Sequence, residues 1–156
     1  MRHAAAVRLL FLCSVLAVLT CTSCSTAPID RTEVQAVLDT QAAAWNRGDL
    51  EGFMATYWRS DALSFVGSRG LTRGYDATLA NYRRGYPDAQ SRGHLDFELL
   101  DVRALDAVHA LVIGAFHLRK DPPADGYFTL IVERRPEGLR IVHDHSSAAA
   151  PAPRAQ

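Results

Sequence analysis

The chain has 156 residues with 17 basic and 17 acidic side chains, and 48% of its residues are hydrophobic. This is the composition of a globular protein, and it excludes a wholly disordered, collagen-like or coiled-coil chain. The formal net charge of zero argues against a protein that binds nucleic acid through a broad basic field, so we expect no nucleic-acid partner. The length suits one domain after an N-terminal leader.

The N-terminus has the pattern of an export signal over residues 1–24. Two arginines precede an apolar segment at 9–19, which is too short to span a bilayer, since that needs roughly 20 residues. All three cysteines lie in the signal, and Ser23-Cys24 resembles the lipidation site of bacterial lipoproteins, with Cys21 as the alternative. We therefore expect a protein of the bacterial cell envelope that contacts the membrane only through a lipid anchor; a short uncleaved anchor helix is the other interpretation.

A domain over residues 31–147 follows a short tether at 25–30. Asp30 and Glu33 have the spacing of a capping box, which predicts the start of a helix. Residues recurring at helical spacing then predict one helix from about 31 to 47. The stripe consists of Val34, Val37, Leu38, Gln41 and Trp45.

Asp49 is placed to cap a second helix, whose shared face is Leu50, Phe53, Met54 and Tyr57. A short strand is predicted at 62–66, followed by a glycine-containing turn at 67–70. A third helix is predicted from about 76 to 85, where Pro87 prevents its continuation.

From Gly93 onward the hydrophobic pattern alternates with a period of two, which predicts strands. The predicted strands are roughly 93–104, 107–119, 126–135 and 138–147. Both faces of 109–118 are apolar, and three helices cover only one face of a sheet, so a second copy of the chain is the expected cover. We therefore expect a homodimer. Residues 148–156, rich in Ala and Pro, are expected to form a disordered tail.

The order helix–helix–strand–helix followed by a four-strand meander resembles the cone-shaped nuclear transport factor 2-like fold, which ketosteroid isomerase and SnoaL-type cyclases share. Residues 44–53 (AWNRGDLEGF) resemble the helix-turn-helix signature of the domain of unknown function 4440 family. Residues 141–147 (IVHDHSS) resemble that family and the association domain of calmodulin-dependent kinase type II. The resemblance implies an α+β fold with three N-terminal helices packed on a curved, mostly antiparallel sheet, and it implies no particular reaction.

A cone that is open at one end encloses a pocket between helix aromatics and one face of the sheet. The residues predicted to bind a ligand there are Trp45, Tyr57, Phe65 and Tyr82, with Trp58 as a further lining candidate. Ordinary core packing is the alternative for all of them. Tyrosines carry a hydroxyl that usually finds a partner when buried, which favours Tyr57 and Tyr82 as ligand-facing donors.

The last strand carries the candidate catalytic residues. Strict alternation places Val142 and Asp144 on one face and Ile141, His143 and His145 on the other. If Asp144 points into the apolar cone, desolvation raises its pKa and suits it to proton transfer. If the faces are inverted, His145 takes the acid–base role.

We expect neither a metal nor another cofactor. His143 and His145 stand about 7 Å apart on one strand face, but no third ligand accompanies them at metal-binding spacing. The chain also has no Gly-x-Gly-x-x-Gly element for a dinucleotide.

Three functions remain open. A small-molecule-binding envelope lipoprotein is favoured, and its ligand would be a small hydrophobic or weakly polar molecule. An isomerase- or cyclase-like acid–base enzyme on a carbonyl compound is the first alternative, and a purely dimerising association module is the second. The kinase association domain has an arginine where this chain has Ser146, so the resemblance implies a less acidic ligand here.

Overall fold

The structure is a computed structural model and describes residues 27–149. The predicted export signal with Cys24, and residues 150–156 of the predicted tail, lie outside the described residues. The described elements in chain order are α1 (Arg31–Asn46), α2 (Leu50–Met54), β1 (Ser64–Gly67), β2 (Gly70–Arg73), α3 (Tyr75–Gly85), α4 (Ala89–Arg92), β3 (His94–Ala104), β4 (His109–Arg119), β5 (Ala124–Arg135) and β6 (Gly138–Ala148).

Helix α1 begins at the predicted capping box. The Asp30 carboxylate accepts a hydrogen bond from the Glu33 backbone N–H at 2.9 Å, and the Glu33 carboxylate accepts one from the Asp30 backbone N–H at 3.2 Å. Glu33 also forms an ion pair with Arg134 of β5 at 2.6 Å, so the first turn of α1 is tied to the sheet. Asp49 caps α2 by accepting from the Gly52 N–H at 2.7 Å.

The sheet has six strands in the order β2-β1-β6-β5-β4-β3. Strands β1 and β6 run parallel, and the other neighbouring pairs run antiparallel. Helix α1 packs against β3 and contacts α2, which in turn contacts α3. The predicted α+β fold, with helices packed on a curved and mostly antiparallel sheet, is confirmed.

Two short elements were not predicted. The turn expected at 67–70 is the tip of a hairpin, because β2 pairs with β1 through four residues. None of the four residues of β2 is buried, so no alternation of apolar residues marks this strand. Helix α4 likewise has no buried residue and depends on a local capping box between Asp88 and Ser91.

A β-bulge changes the faces of β6. The pairs Val132–Ile141 and Leu130–Asp144 set three residue steps of β6 against two steps of β5. Ile141 and Asp144 therefore share a face, although they are three positions apart, a spacing that places residues of a regular strand on opposite faces. Strict alternation was wrong for Ile141, which belongs to the core with 0% exposure rather than to the face of His143.

The core lies between the helices and the inner face of the sheet. Its fully buried apolar side chains include Val34, Leu38, Met54, Leu63, Val112, Val132 and Ile141. The outer face of the sheet carries half-buried Leu111, Ile113 and Ile131 beside Tyr127, which is 57% exposed. Within residues 27–149, no helix is long and apolar enough to cross a membrane.

Candidate functional site

A cavity of about 390 Å³ lies between the helices and the inner face of the sheet and is partly open to solvent. Side chains of α1, α2 and α3 line one side, and residues of β3, β4, β5 and β6 line the other. The hairpin turn between β1 and β2 and the segment after β4 complete the wall. This volume lies in the usual range for sites that enclose a small molecule.

Aromatic side chains form the helical wall of the cavity. Trp45 and Phe53 meet edge to face with ring centroids 5.2 Å apart, and Phe53 meets Tyr82 in the same way at 5.0 Å. Phe65 of β1 meets Tyr82 at 5.8 Å. The structure thus brings together Trp45, Phe65 and Tyr82, and Tyr57 joins them in the cavity lining. Trp45, Phe53 and Tyr82 reach this position because each follows the apolar stripe of its helix, whereas Phe65 comes from β1 and Tyr57 from the segment after α2.

The segment after α2 brings Tyr57 to the last strand. The Trp58 backbone N–H donates to the Ile141 carbonyl at 2.9 Å, and the Ile141 N–H donates to the Thr56 carbonyl at 3.0 Å. This bridge runs parallel to β6. The Tyr57 hydroxyl then reaches Asp144 and donates to its Oδ2 atom at 2.7 Å. Tyr57 is therefore hydrogen-bonded directly to Asp144 and does not lie opposite to it across the cavity.

Asp144 lines the cavity, is 4% exposed and lies on β6. Its Oδ1 atom accepts a hydrogen bond from the Ser146 hydroxyl at 2.7 Å, so each carboxylate oxygen has one donor. Each oxygen retains acceptor capacity for a further donor. Among the described residues that line the cavity, Asp144 is the one carboxylic acid.

Burial raises the pKa of Asp144 from its ordinary 3.8 to about 6, because the charged form loses its hydration. The hydrogen bonds from Tyr57 and Ser146 and the charge of His145 oppose this rise. Burial, and then the charge of Asp144, raise the pKa of Tyr57 and of Tyr82 well above the ordinary tyrosine value. At neutral pH the cavity thus combines a carboxylate that titrates close to physiological pH with two protonated phenols.

Gln41 is a cavity residue that the sequence placed in the apolar stripe of α1 without assigning it a role. It is 2% exposed, and its Nε2 atom is buried without a hydrogen-bond partner within residues 27–149. The sequence signal that could have identified Gln41 is a polar residue inside an otherwise apolar helical stripe. Ser146 could also have been identified from the sequence, because it lies two residues beyond Asp144 on the same strand face.

Two cations lie at the solvent-facing part of the wall. Arg69 is exposed in the hairpin turn, and Lys120 is partly exposed after β4. Lys120 Nζ lies 5.4 Å from the ring centroid of Tyr86 and donates to the Ser91 carbonyl at 3.3 Å. The described lining therefore carries two positive charges at its solvent-facing part and one buried carboxyl group, Asp144.

Three residues singled out in the sequence lie away from the cavity. His145 is exposed and is absent from the cavity lining, so the structure gives the inward position to Asp144 instead. The bulged strand points His143 elsewhere, where its Nδ1 atom lies 2.8 Å from the Ser64 hydroxyl, and burial together with the charge of His145 lowers its pKa. Trp58 packs under the Arg135 guanidinium at 4.1 Å instead of lining the cavity.

No group of three or more His, Cys, Asp or Glu side chains that could hold a metal ion occurs in the described part of the chain. The polar side chains of the cavity lining instead carry hydroxyls, the carboxamides of Gln41 and Asn81, the carboxyl group of Asp144 and the two solvent-facing cations. These groups bind through hydrogen bonds, and the carboxyl can also exchange a proton.

Residues 34–151 match the model of the SnoaL-like domain family. A nuclear transport factor 2-like protein of unknown function from Shewanella oneidensis MR-1 is 36% identical in sequence, with a TM-score of 0.71. The match covers 74% of this chain and 97% of that one. No match was found among proteins of curated function.

Two more distant solved structures share the fold. A ketosteroid isomerase-like protein from Erwinia carotovora atroseptica SCRI1043 is 20% identical, with a TM-score of 0.62 and coverage of 77% of this chain and 96% of that one. A protein described as a calcium/calmodulin-dependent protein kinase type II association domain, from Thiobacillus denitrificans ATCC 25259, is 23% identical, with a TM-score of 0.63 and coverage of 74% and 94%. These likenesses confirm the predicted nuclear transport factor 2-like fold.

Proposed function

The chain belongs to the SnoaL-like domain family, and we propose that it binds a small, mainly apolar molecule in the cavity beneath its helices. The observation that carries the proposal is a cavity of about 390 Å³ with aromatic walls and one buried carboxyl group, Asp144. Sites for small molecules combine this kind of apolar lining with a few placed polar groups. Trp45, Phe65 and Tyr82 would enclose the apolar body of the ligand, and Asp144 and Tyr57 would contact its polar part.

A thermal-shift screen of the purified chain against small ketones, phenols and hydrocarbons tests this proposal, because a ligand that binds only the folded state stabilises it. Ser146→Phe fills the cavity, whereas Ser147→Phe makes the same change at the neighbouring exposed residue, which does not line the cavity. Compounds that stabilise the wild type should stabilise the Ser147 variant and fail to stabilise the Ser146 variant. Equal stabilisation of both variants would place binding elsewhere.

A second candidate is an acid–base enzyme that acts on a carbonyl compound. The observation that favours it is the pKa of Asp144, which burial raises to about 6, in a carboxyl group bonded to Tyr57 at 2.7 Å. A carboxylate with such a pKa can take a proton from the carbon beside a carbonyl and return it to another carbon. The activity would rise as the pH passes about 6, because the base must be ionised.

Solvent deuterium exchange into a bound ketone distinguishes the two candidates. Enzymatic proton transfer predicts exchange that Asp144→Asn abolishes while binding persists. Binding without turnover predicts no exchange above the rate in buffer for either protein. Ketone binding without exchange would therefore support small-molecule binding and contradict the acid–base enzyme.

We also propose a homodimer formed through the outer face of the sheet. Half-buried Leu111, Ile113 and Ile131 lie there beside exposed Tyr127, and a second copy would cover them. Light scattering should give twice the chain mass, and Ile131→Asp should give the single mass. A dimer whose cavity accepts no small molecule would support the association-module alternative.

Export to the bacterial cell envelope and lipidation of Cys24 complete the proposal. Its support is the sequence of the leader and the pair Ser23-Cys24. The intact mass of the protein extracted from membranes should show acyl groups on a chain that begins at Cys24, and a chain that begins at Cys21 would support the alternative site. An unprocessed Met1 would contradict both.

A further inference from the structure

The buried carboxamide of Gln41 stands out among the polar groups of the cavity. The carboxyl group of Asp144 has donors from Tyr57 and Ser146, whereas Gln41 Nε2 has no partner in the part of the chain that the structure describes. An amide donor that is buried without a hydrogen bond lowers the stability of the fold. Most buried polar groups have partners, so an exception calls for a physical reason.

The position of Gln41 supplies that reason. Its side chain is 2% exposed and forms part of the cavity wall, on the same helical face as Leu38 and Trp45. The terminal torsion of a glutamine rotates over a broad range, so the carboxamide can turn its N–H groups toward a bound molecule without a change of backbone. A ligand can therefore provide the acceptor that the folded chain does not provide.

The charge of the cavity restricts what kind of acceptor enters. Arg69 and Lys120 lie at the solvent-facing part of the wall, so among the described lining residues Asp144 is the charged side chain that is buried. It is mostly ionised at pH 7, since its pKa is about 6, and a second carboxylate beside it in a poorly solvated space would be repelled. An uncharged carbonyl oxygen accepts from an amide N–H without that repulsion. The walls around both groups are aromatic and aliphatic, which suits the hydrocarbon part of the same molecule.

We infer that Gln41 is a specificity-determining residue that donates a hydrogen bond to the carbonyl oxygen of an uncharged, largely apolar ligand. This inference rests on the proposed small-molecule binding and names the ligand class: ketones, esters or amides with an apolar body. Gln41 then selects carbonyl compounds over hydrocarbons of the same shape. Replacing the amide by an apolar group should abolish the preference for carbonyl compounds and make the unliganded protein more stable.

The test compares two probes, 2-acetylnaphthalene and 2-ethylnaphthalene, which have nearly the same shape and differ in a carbonyl oxygen. Their Kd values are measured by calorimetry or fluorescence for the wild type and for Gln41→Leu. The ratio of the two Kd values should shift by roughly tenfold against the ketone in the variant, the change expected for one hydrogen bond of about 1.4 kcal/mol. Affinity for the hydrocarbon should stay the same or improve.

Gln35→Leu is the matched control, because Gln35 lies on the same helix, outside the cavity lining, and already donates to Asp39 at 2.8 Å. It should leave the ratio of the two Kd values unchanged. The Tm of the unliganded Gln41→Leu protein should rise, since the unpartnered donor is gone. If branching of leucine disturbs α1, Gln41→Met keeps an unbranched side chain and should give the same shift in the ratio.

The outcomes separate the inference from the function on which it rests. Binding of both probes with the same ratio of Kd values in folded wild type and Gln41→Leu would overturn the role of Gln41 and leave the cavity as a binding site. Failure of both probes to bind the wild type would count against the cavity as a site for such molecules and would overturn the inference with it.

Discussion

Replacing Asp144 by asparagine should make the protein more stable at neutral pH and less stable in acid. The pKa of Asp144 is about 6 in the fold against an ordinary value of 3.8. The folded state therefore binds the proton more tightly than the unfolded chain, so stability falls as the pH rises through this window. The loss is complete above about pH 6 and absent below about pH 4.

The size of the effect follows from the same two values. Their difference, 6 − 3.8, is about 2.2, and each pKa unit corresponds to about 1.36 kcal/mol, so ionised Asp144 costs about 3 kcal/mol at high pH. Asparagine removes this cost, but its single oxygen cannot replace both acceptors that Tyr57 and Ser146 now use. The loss of one hydrogen bond costs about 1 kcal/mol.

The difference in stability between Asp144→Asn and the wild type should therefore change sign with pH. Asp144→Asn should be about 2 kcal/mol more stable than the wild type above about pH 7 and about 1 kcal/mol less stable near pH 4. At roughly 4 °C per kcal/mol for a domain of this size, the Tm difference should run from about +8 °C to about −4 °C.

Thermal unfolding of both proteins across this pH range measures the difference directly. Taking the difference cancels the contributions of the other carboxyl groups, such as Asp106, whose pKa is lowered by hydrogen bonds from Val108 and His109. Glu137→Gln changes an exposed carboxyl group in the turn before β6 and should show no comparable change of sign. A Tm difference for Asp144→Asn that stays constant with pH, or that favours the variant in acid, would refute the reasoning.

Two further substitutions test the contacts around the cavity. Tyr57→Phe removes a hydroxyl that lowers the pKa of Asp144, so the pKa of Asp144 should rise above about 6. NMR of the carboxyl carbon would record this pKa, and an unchanged value would show that the hydrogen bond from Tyr57 does not favour the ionised form. Gly114→Ala should destabilise the fold by about 1–3 kcal/mol in urea unfolding, because the new Cβ would clash with the ring of Phe128. Gly85→Ala, where nothing lies within 4 Å of the added Cβ, should not destabilise it, and equal losses at both glycines would contradict the steric reason.

The elements with strong local signals were predictable from the sequence. Helix α1 was predicted at 31–47 and is observed at Arg31–Asn46, since both its capping box and its apolar stripe are local features. The last strand was predicted at 138–147 and is observed at Gly138–Ala148, because its alternation and the preceding turn are local as well. The two elements that were missed, β2 and α4, bury no side chain and so carry no hydrophobic pattern.

The contacts of the candidate site depend on tertiary structure, and local patterns predict them less well. Tyr57 and Asp144 are 87 residues apart in sequence, and their hydrogen bond depends on the bridge between Tyr57 and Ile141. The bulge that gives Ile141 and Asp144 the same face is visible only in the register against β5. Alternation alone correctly separated Asp144 from His145, but it did not reveal which of them would point inward.

The proposed ligand binding gives the polar groups of the cavity a role that packing of the core does not give them. Most of the buried core is apolar, as at Met54 and Val132, whereas Gln41 and Asp144 line the same cavity. Each lowers the stability of the empty fold, one through an unpartnered donor and the other through the raised pKa of its carboxyl group. Stability alone would favour leucine at one position and an uncharged residue at the other. Two groups that cost stability at one shared cavity support the proposed binding site, since function commonly trades against stability at such sites.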